Sequence, residues 1–343
     1  MSIARRQRIL PLLLLTGAGC GPLATSLRPA ARPVVNRLEV KHRALDYLQA
    51  ALGNEDNPAV RVEAVEALES CGAGTALPRI RTALTDSEPA VRFAACAALG
   101  RHRDRLAQDT LQQLTRDSDH SVAVAALFAL HRIGQTDQTG RIPDYLLLDK
   151  EPAVRRNAAL LLGLMDEAGA VRVLARAMRD RDAGVRMHAL EAMARLGNRE
   201  AIRELTFMTN AGTGSEEVFA IAALTETGDP VFLDTFRYKL ATATHIEVRL
   251  AAARGLGRLG ADDGYDVALR TLVSPKPTHR DAGDPPAGQR LRAQQMAAAA
   301  LAAIGRMDAL PALIKVMDRA SDPRIRVSAA RAVLELLATA RQH

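Results

Sequence analysis

Residues 86–100 read DSEPAVRFAACAALG, and the central PAVR recurs at 58–61 and 152–155. With the valine of PAVR as offset zero, equivalent anchors fall at Val60, Val91, Val122, Val154, Val185, Glu216, Val248, Ala293 and Ile325. Successive spacings are 31, 31, 32, 31, 31, 32, 45 and 32 residues. Offset +4 is alanine in all nine copies, from Ala64 to Ala329, and offset +8 is always aliphatic or methionine. Offsets 0, +4, +7, +8 and +11 share one stripe of a helix that turns about 100° per residue. The small residue at +4, and usually at +7, lets another helix approach closely, so the pattern predicts tight stacking.

Each copy carries a start or a stop signal. Pro58, Pro89, Pro152 and Pro323 stand at offset −2, in the first turn, where a missing N–H leaves no bond unmade. Glycine at +12 (Gly72, Gly134, Gly197, Gly228, Gly260, Gly305) ends the helix. A second amphipathic segment lies upstream of each anchor, as in GAVRVLARAMRD (169–180) and ALPALIKVMDRASD (309–322). Each repeat is therefore helix, turn, helix, and the fold class is all-α. Composition agrees, with no tryptophan and an apolar fraction dominated by alanine and leucine, both strong helix formers. A chain of 343 residues exceeds one ordinary core, and a repeat array accommodates the excess.

This pattern resembles HEAT-like repeats of the short, phycobilisome-lyase type, over residues 44–340. The resemblance implies a right-handed α-solenoid of about nine stacked pairs, each touching mainly its neighbours. It also implies a use for the recurring charges. Arginine stands at +1 in Arg61, Arg92, Arg155, Arg186, Arg249 and Arg326, and aspartate at −5 in Asp86, Asp117, Asp149 and Asp180. In HEAT proteins such positions form a ladder of charge-assisted bonds between repeats, which fixes register. On that basis Asp86, Arg92, Asp117, Asp149, Arg155, Asp180 and Arg186 are structural.

The N-terminus reads as a processing signal. MSIARRQRILPLLLLTGAGCGPLA has a basic start, a short apolar run from Ile9 to Leu15, and small residues before Cys20. It resembles a bacterial lipoprotein signal, in which Cys20 would become the lipidated first residue of the mature chain. Gly17 departs from that pattern, where leucine is usual. Cleavage by ordinary signal peptidase, or an uncleaved start on a cytosolic protein, are the alternatives. Gly21 after the cysteine implies, by the same resemblance, the outer membrane of a Gram-negative cell. The expected organisation is thus a signal peptide over 1–19, a lipidated cysteine with a flexible tether over 20–42, and the solenoid over 43–343.

Charge and motifs narrow the function. The net charge of +7 resides entirely in residues 1–43, and 44–343 balances 38 basic against 38 acidic residues. That neutral body lacks the electrostatic footprint of a nucleic-acid binder, so a DNA glycosylase of HEAT-like fold is a weaker alternative. A bilin lyase matches the repeat type but not an exported location. His245-Ile-Glu247 is a short His/acid pair beside the seventh anchor, whereas HEAT-type iron hydroxylases use several on successive repeats. His102, His131 and His188 occupy different helix positions, so no metal site and no cofactor is expected. No phosphate loop, nucleophile elbow or CxxC pair occurs. Cys71 and Cys96 read as packed thiols rather than a disulfide.

Two features remain for binding. By resemblance to HEAT solenoids, the second helices line a concave groove, with offsets +3, +6 and +10 facing it. That strip holds Phe128, Arg132, His188, Glu191, Arg195, Phe219, Arg254 and Arg258, where a protein or peptide partner would lie. The 45-residue spacing holds an insertion, SPKPTHRDAGDPPAG (274–288), whose four prolines and lack of large apolar residues read as disordered. The sequence thus points to a non-enzymatic, lipid-anchored scaffold of the cell envelope.

Overall fold

In the computed structural model, residues 36–70, 73–276 and 284–339 are described. They form nine helix pairs. The first three are α1 (Arg37–Leu52) with α2 (Pro58–Ser70), α3 (Ala73–Thr82) with α4 (Pro89–Arg101), and α5 (Gln108–Leu114) with α6 (His120–Arg132). The next three are α7 (Arg141–Leu148) with α8 (Pro152–Leu164), α9 (Ala170–Ala177) with α10 (Ala183–Arg195), and α11 (Arg199–Ala211) with α12 (Gly214–Thr225). The last three are α13 (Leu233–Thr242) with α14 (Ile246–Arg258), α15 (Tyr265–Val273) with α16 (Pro286–Ile304), and α17 (Leu310–Arg319) with α18 (Pro323–Thr339).

The starts and stops follow local chemistry. In two of the copies without proline at −2, an aspartate caps the helix instead. Asp119 Oδ1 accepts from the Ser121 and Val122 amides at 2.8 and 3.2 Å, and Asp182 accepts from Val185 at 3.0 Å. In the sixth copy the anchor valine is replaced by Glu216, which closes a capping box with Thr213. At +12, Gly134, Gly197, Gly228, Gly260 and Gly305 all have positive φ. Arg103 (φ 53°) and Asp166 (φ 64°) hold the same left-handed conformation at two of the three +12 positions that lack glycine, whereas Leu337 in the ninth copy continues its helix. The motif therefore imposes the conformation even on residues that resist it.

The apolar stripe is buried as its spacing requires: Val91, Ala95, Ala98 and Leu99 are each 0 % exposed. Consecutive second helices pack side by side from α2 through α18, each against its own first helix outside. The array does not stay open. α18 packs against both α1 and α2, so the first repeat covers the face that the ninth would otherwise leave bare. Arg43 donates to Asp318 at 2.5 Å, the Tyr47 hydroxyl to the Pro323 carbonyl at 3.4 Å, and the Arg326 guanidinium stacks 4.4 Å over the Tyr47 ring. A linear array must shield two end faces with polar capping repeats, and closure removes both.

Two boundaries differ from the sequence reading. Residues 37–42 are not tether: they form the first turns of α1, and Val40 is buried. Residues 286–288 are not loop: they begin α16, which is 19 residues long, six more than the 13 of α4, α6 or α8. Pro286 starts that extension as the shorter prolines start theirs. The signal segment and Cys20 lie outside the described residues, as do 277–283. Among the described residues, no helix is long and apolar enough to cross a membrane.

Candidate binding interior

The +1 arginines reach across the turns between repeats. Arg61 Nε and Nη2 donate to both Asp86 oxygens at 2.9 and 2.8 Å. Arg92 pairs with Asp117 and Arg155 with Asp180 in the same two-pronged way, at 2.7–2.9 Å. Nη1 of each donates to turn carbonyls, those of Asn54, Asp86 and Asp149 among them, at 2.7–2.9 Å. The Arg155 guanidinium holds the Asp180 carboxyl below its usual range. Burial pushes Asp86 and Asp117 up, but their arginines and the Glu88 and Asp119 amides outweigh it and leave both lowered.

Two positions in this set behave differently. Ala123 replaces the third arginine, so Asp149 pairs with His120 Nδ1 at 2.5 Å. Arg186 donates only to the Asp180 and Arg181 carbonyls, at 2.8 and 3.1 Å, because Ala211 stands where the next aspartate would be. The sixth copy inverts the polarity, with Glu217 at +1 receiving Lys239 Nζ at 3.2 Å.

With these arginines committed to the framework, the interior belongs to offsets +3, +6 and +10. His188 Nδ1 lies 3.1 Å from Glu191, and its ring meets Phe219 edge-on at 5.9 Å. Arg195 faces Glu191 and Glu226, each at 3.7 Å, and Arg254 faces Glu226 from the other side at 3.8 Å. Arg132 is half-buried, with its Nε lacking a hydrogen-bond partner, and Arg258 is exposed. Phe128 does not line the interior. It is 0 % exposed because Gly100 of the preceding second helix opens a slot for its ring, where a Cβ would lie only 2.7 Å from the Phe128 edge.

Closure brings residues the sequence reading passed over to the same interior. Glu63 and Glu66 come from α2, and Arg331 and Glu335 from α18, at the same three offsets in the first and ninth copies. The offset rule applied to those copies would have found them. Glu63 Oε1 accepts from Gln295 Nε2 at 3.0 Å, while its Oε2 is buried without a hydrogen bond. Burial pushes the Glu63 carboxyl up to about 7, partly opposed by Gln295 and Arg324. Burial also raises Glu66. Arg101 pairs with Glu69 at the rim.

The hollows share walls. One of about 300 Å³ holds Glu63, Glu66 and Met296, and one of about 510 Å³ holds Arg254 and Arg258. Arg331 and Glu335 line both. A separate hollow of about 370 Å³ lies beside the insertion, lined by His245, Glu247, Asp284 and Arg292. There Arg292 donates to both Asp284 oxygens at 2.8 and 2.5 Å and lies 3.6 Å from Glu247, whose two buried oxygens accept no hydrogen bond. Among the described residues, no group of three His, Cys, Asp or Glu side chains could hold a metal. Cys96 is a buried thiol whose pKa burial pushes well up, and Cys71 lies outside the described residues.

Family models match this architecture. The HEAT repeats model matches residues 43–136 and 144–218, and the PBS lyase HEAT-like repeat model matches 293–319. The chain belongs to the HEAT-repeat family. No curated protein matches it. Among solved structures it is similar to human deoxyhypusine hydroxylase in complex with glycerol, at 17% identity and TM-score 0.38, over 88% of this chain and 98% of that one. It is also similar to the CpcE–CpcF complex of phycocyanin lyase from Nostoc sp. PCC7120, at 20% identity and TM-score 0.34, over 77% and 96%. Kap121p bound to Nup53p matches at 17% identity and TM-score 0.34, over 84% of this chain and 37% of that one.

Proposed function

We propose that the ring is a non-enzymatic scaffold that holds a protein partner by a peptide segment in its interior. One observation supports the reading: side chains at three offsets, from the first copy and the last three, converge on two adjoining hollows. Hollows of about 300–510 Å³ match the lower half of the range of ligand pockets and suit a few residues of extended chain rather than a folded domain. Their lining mixes carboxylates, guanidinium groups and apolar surface, as peptide grooves in solenoids do. A photo-crosslinker at Phe219, inside, is expected to capture a partner in cells, and charge reversal at Arg195 and Arg254 to weaken that capture.

We further propose that Cys20 carries a lipid that holds the ring at the cell envelope, on the outer membrane in a Gram-negative cell. The support is the order of basic start, apolar run and cysteine in the sequence. Radiolabelled palmitate incorporation that disappears in Cys20→Ser, together with loss from the membrane fraction, is the expected result. An unlabelled wild type that still fractionates with membranes would sink the anchor.

A further inference from the structure

The charged ladder stops part-way round the ring. It joins the first five copies, through Arg61, Arg92, His120 and Arg155, and fails between the fifth and the sixth. There Ala211 stands where the next aspartate would be, and the exposed Arg186 bonds only carbonyls of its own turn. Among the described residues, this is the one junction between copies that no side-chain hydrogen bond crosses. Later junctions are tied again: Glu217 accepts from Lys239 at 3.2 Å, Asp263 from Arg237 at 3.3 Å, and Ser328 from Gln295 at 3.2 Å. Arg195 and Glu226 face each other across the fifth junction, but at 3.7 Å and with both side chains partly exposed. That is too long for a hydrogen bond, and such a pair holds weakly.

Packing thins at the same place. The anchor offset is buried in the other eight copies, whereas Glu216 turns back to its own cap and accepts the Thr213 amide at 2.7 Å. No residue of α12 before Ala220 is buried, and α10 and α12 approach each other less than any other two neighbouring second helices do. The seam between the ninth and first copies lies opposite this junction, with five copies on one side and four on the other. No peptide bond crosses the seam. It is closed by the exposed Arg43–Asp318 pair and by Tyr47, and it buries Glu63 Oε2 without a hydrogen bond, a cost that opening relieves by admitting water. A chain-linked junction with few ties, set across from a separable one, is the geometry of a hinge and a mouth.

We propose that the ring is a clamp, in which copies one to five and copies six to nine turn about the fifth junction and part at the seam, admitting the partner segment from the side. Its use as an entry route rests on the peptide-scaffold reading above, whereas the motion itself does not. The test is pulsed electron–electron resonance on the full chain, spin-labelled in pairs at exposed offset −6 positions two copies apart. Cys20→Ser and Cys71→Ser leave the fully buried Cys96 as the remaining native thiol. Thr85→Cys with Arg319→Cys spans the seam, Leu148→Cys with Asn210→Cys spans the fifth junction, and Arg116→Cys with Arg179→Cys spans two laddered junctions.

The laddered pair should give one narrow distance, which also shows that the labelled chain is folded. The seam pair should give a second, longer distance, and the fifth-junction pair a second distance of equal weight. Asp318→Ala should enlarge both minor populations about two- to fivefold, the effect of losing an exposed ion pair, and leave the laddered pair unchanged. A single seam distance with and without Asp318→Ala would overturn the clamp. Equal broadening of all three pairs would overturn it too, because the ring would then flex uniformly. Paired two-state distances without any adduct from a photo-crosslinker at position 219 would support the clamp and remove the peptide reading. An adduct from 219 with a single seam distance would do the reverse.

Discussion

Arg92 of the second repeat grips Asp117 of the third through Nε and Nη2, at 2.8 and 2.9 Å, while its Nη1 holds the Asp86 carbonyl at 2.8 Å. One guanidinium thus ties two turns, and Asp117 in turn accepts the Asp119 amide at 2.9 Å. Side-chain exposures of 13 % and 8 % put the pair among those whose breakage strands a charge. We expect Arg92→Ala or Arg155→Ala to cost about 3 kcal/mol in denaturant unfolding. Arg186→Ala, which removes only carbonyl contacts, should cost about 1 kcal/mol.

The same ladder sets acid sensitivity. The Asp86, Asp117 and Asp180 carboxyls lie below their ordinary value in the folded chain. A depressed carboxyl contributes stability above its unfolded pKa and loses it as pH falls through the folded one. Melting temperature should therefore drop below about pH 4, and the drop should shrink in Asp180→Asn, whose melting is already lower at neutral pH.

Glu63 acts in the opposite sense. Its folded pKa of about 7 exceeds the ordinary 4.5, so the folded ring binds more protons between those values. Its contribution declines as pH rises from about 4.5 to about 7 and is level above. Gln295 and Ser328 stand opposite it across the seam, with Arg324, Glu66 and Asp322 the charges around it. Glu63→Gln should flatten that part of the melting profile and raise stability at pH 8.

Arg103 and Asp166 hold left-handed backbone that costs a side-chain-bearing residue about 1 kcal/mol or more. Arg103→Gly and Asp166→Gly should each stabilise the chain by about 0.5–1 kcal/mol, read from urea midpoints at constant slope. No gain in either would contradict the assigned stop geometry.

Much of this was legible because the repeat states the same local physics nine times. Val91, Ala95 and Leu99 reveal a buried stripe, and glycine at +12 reveals the stop, whereas nothing in the residue types of Arg103 and Asp166 announces the same left-handed turn. Closure was not legible. Arg43 and Asp318 are 275 residues apart, and whether they meet depends on small rotations summed over every repeat. Phe128 was misplaced for a related reason. Offset +6 borders the buried stripe, and the slot that takes its ring is made by Gly100 in another repeat. The start of α1 was obscured by the prolines that precede Arg37, which gave the whole stretch the look of a tether.

The central claim is that partner contact occurs inside the ring and not on its convex side. Phe219, at offset +3 of the sixth copy, meets His188 edge-on, and Phe207 on the first helix α11 of that copy is 70 % exposed. With benzoylphenylalanine at each position in turn, irradiation of intact cells should give a discrete adduct from position 219 and none from 207. An adduct from 207 with none from 219 would contradict the account.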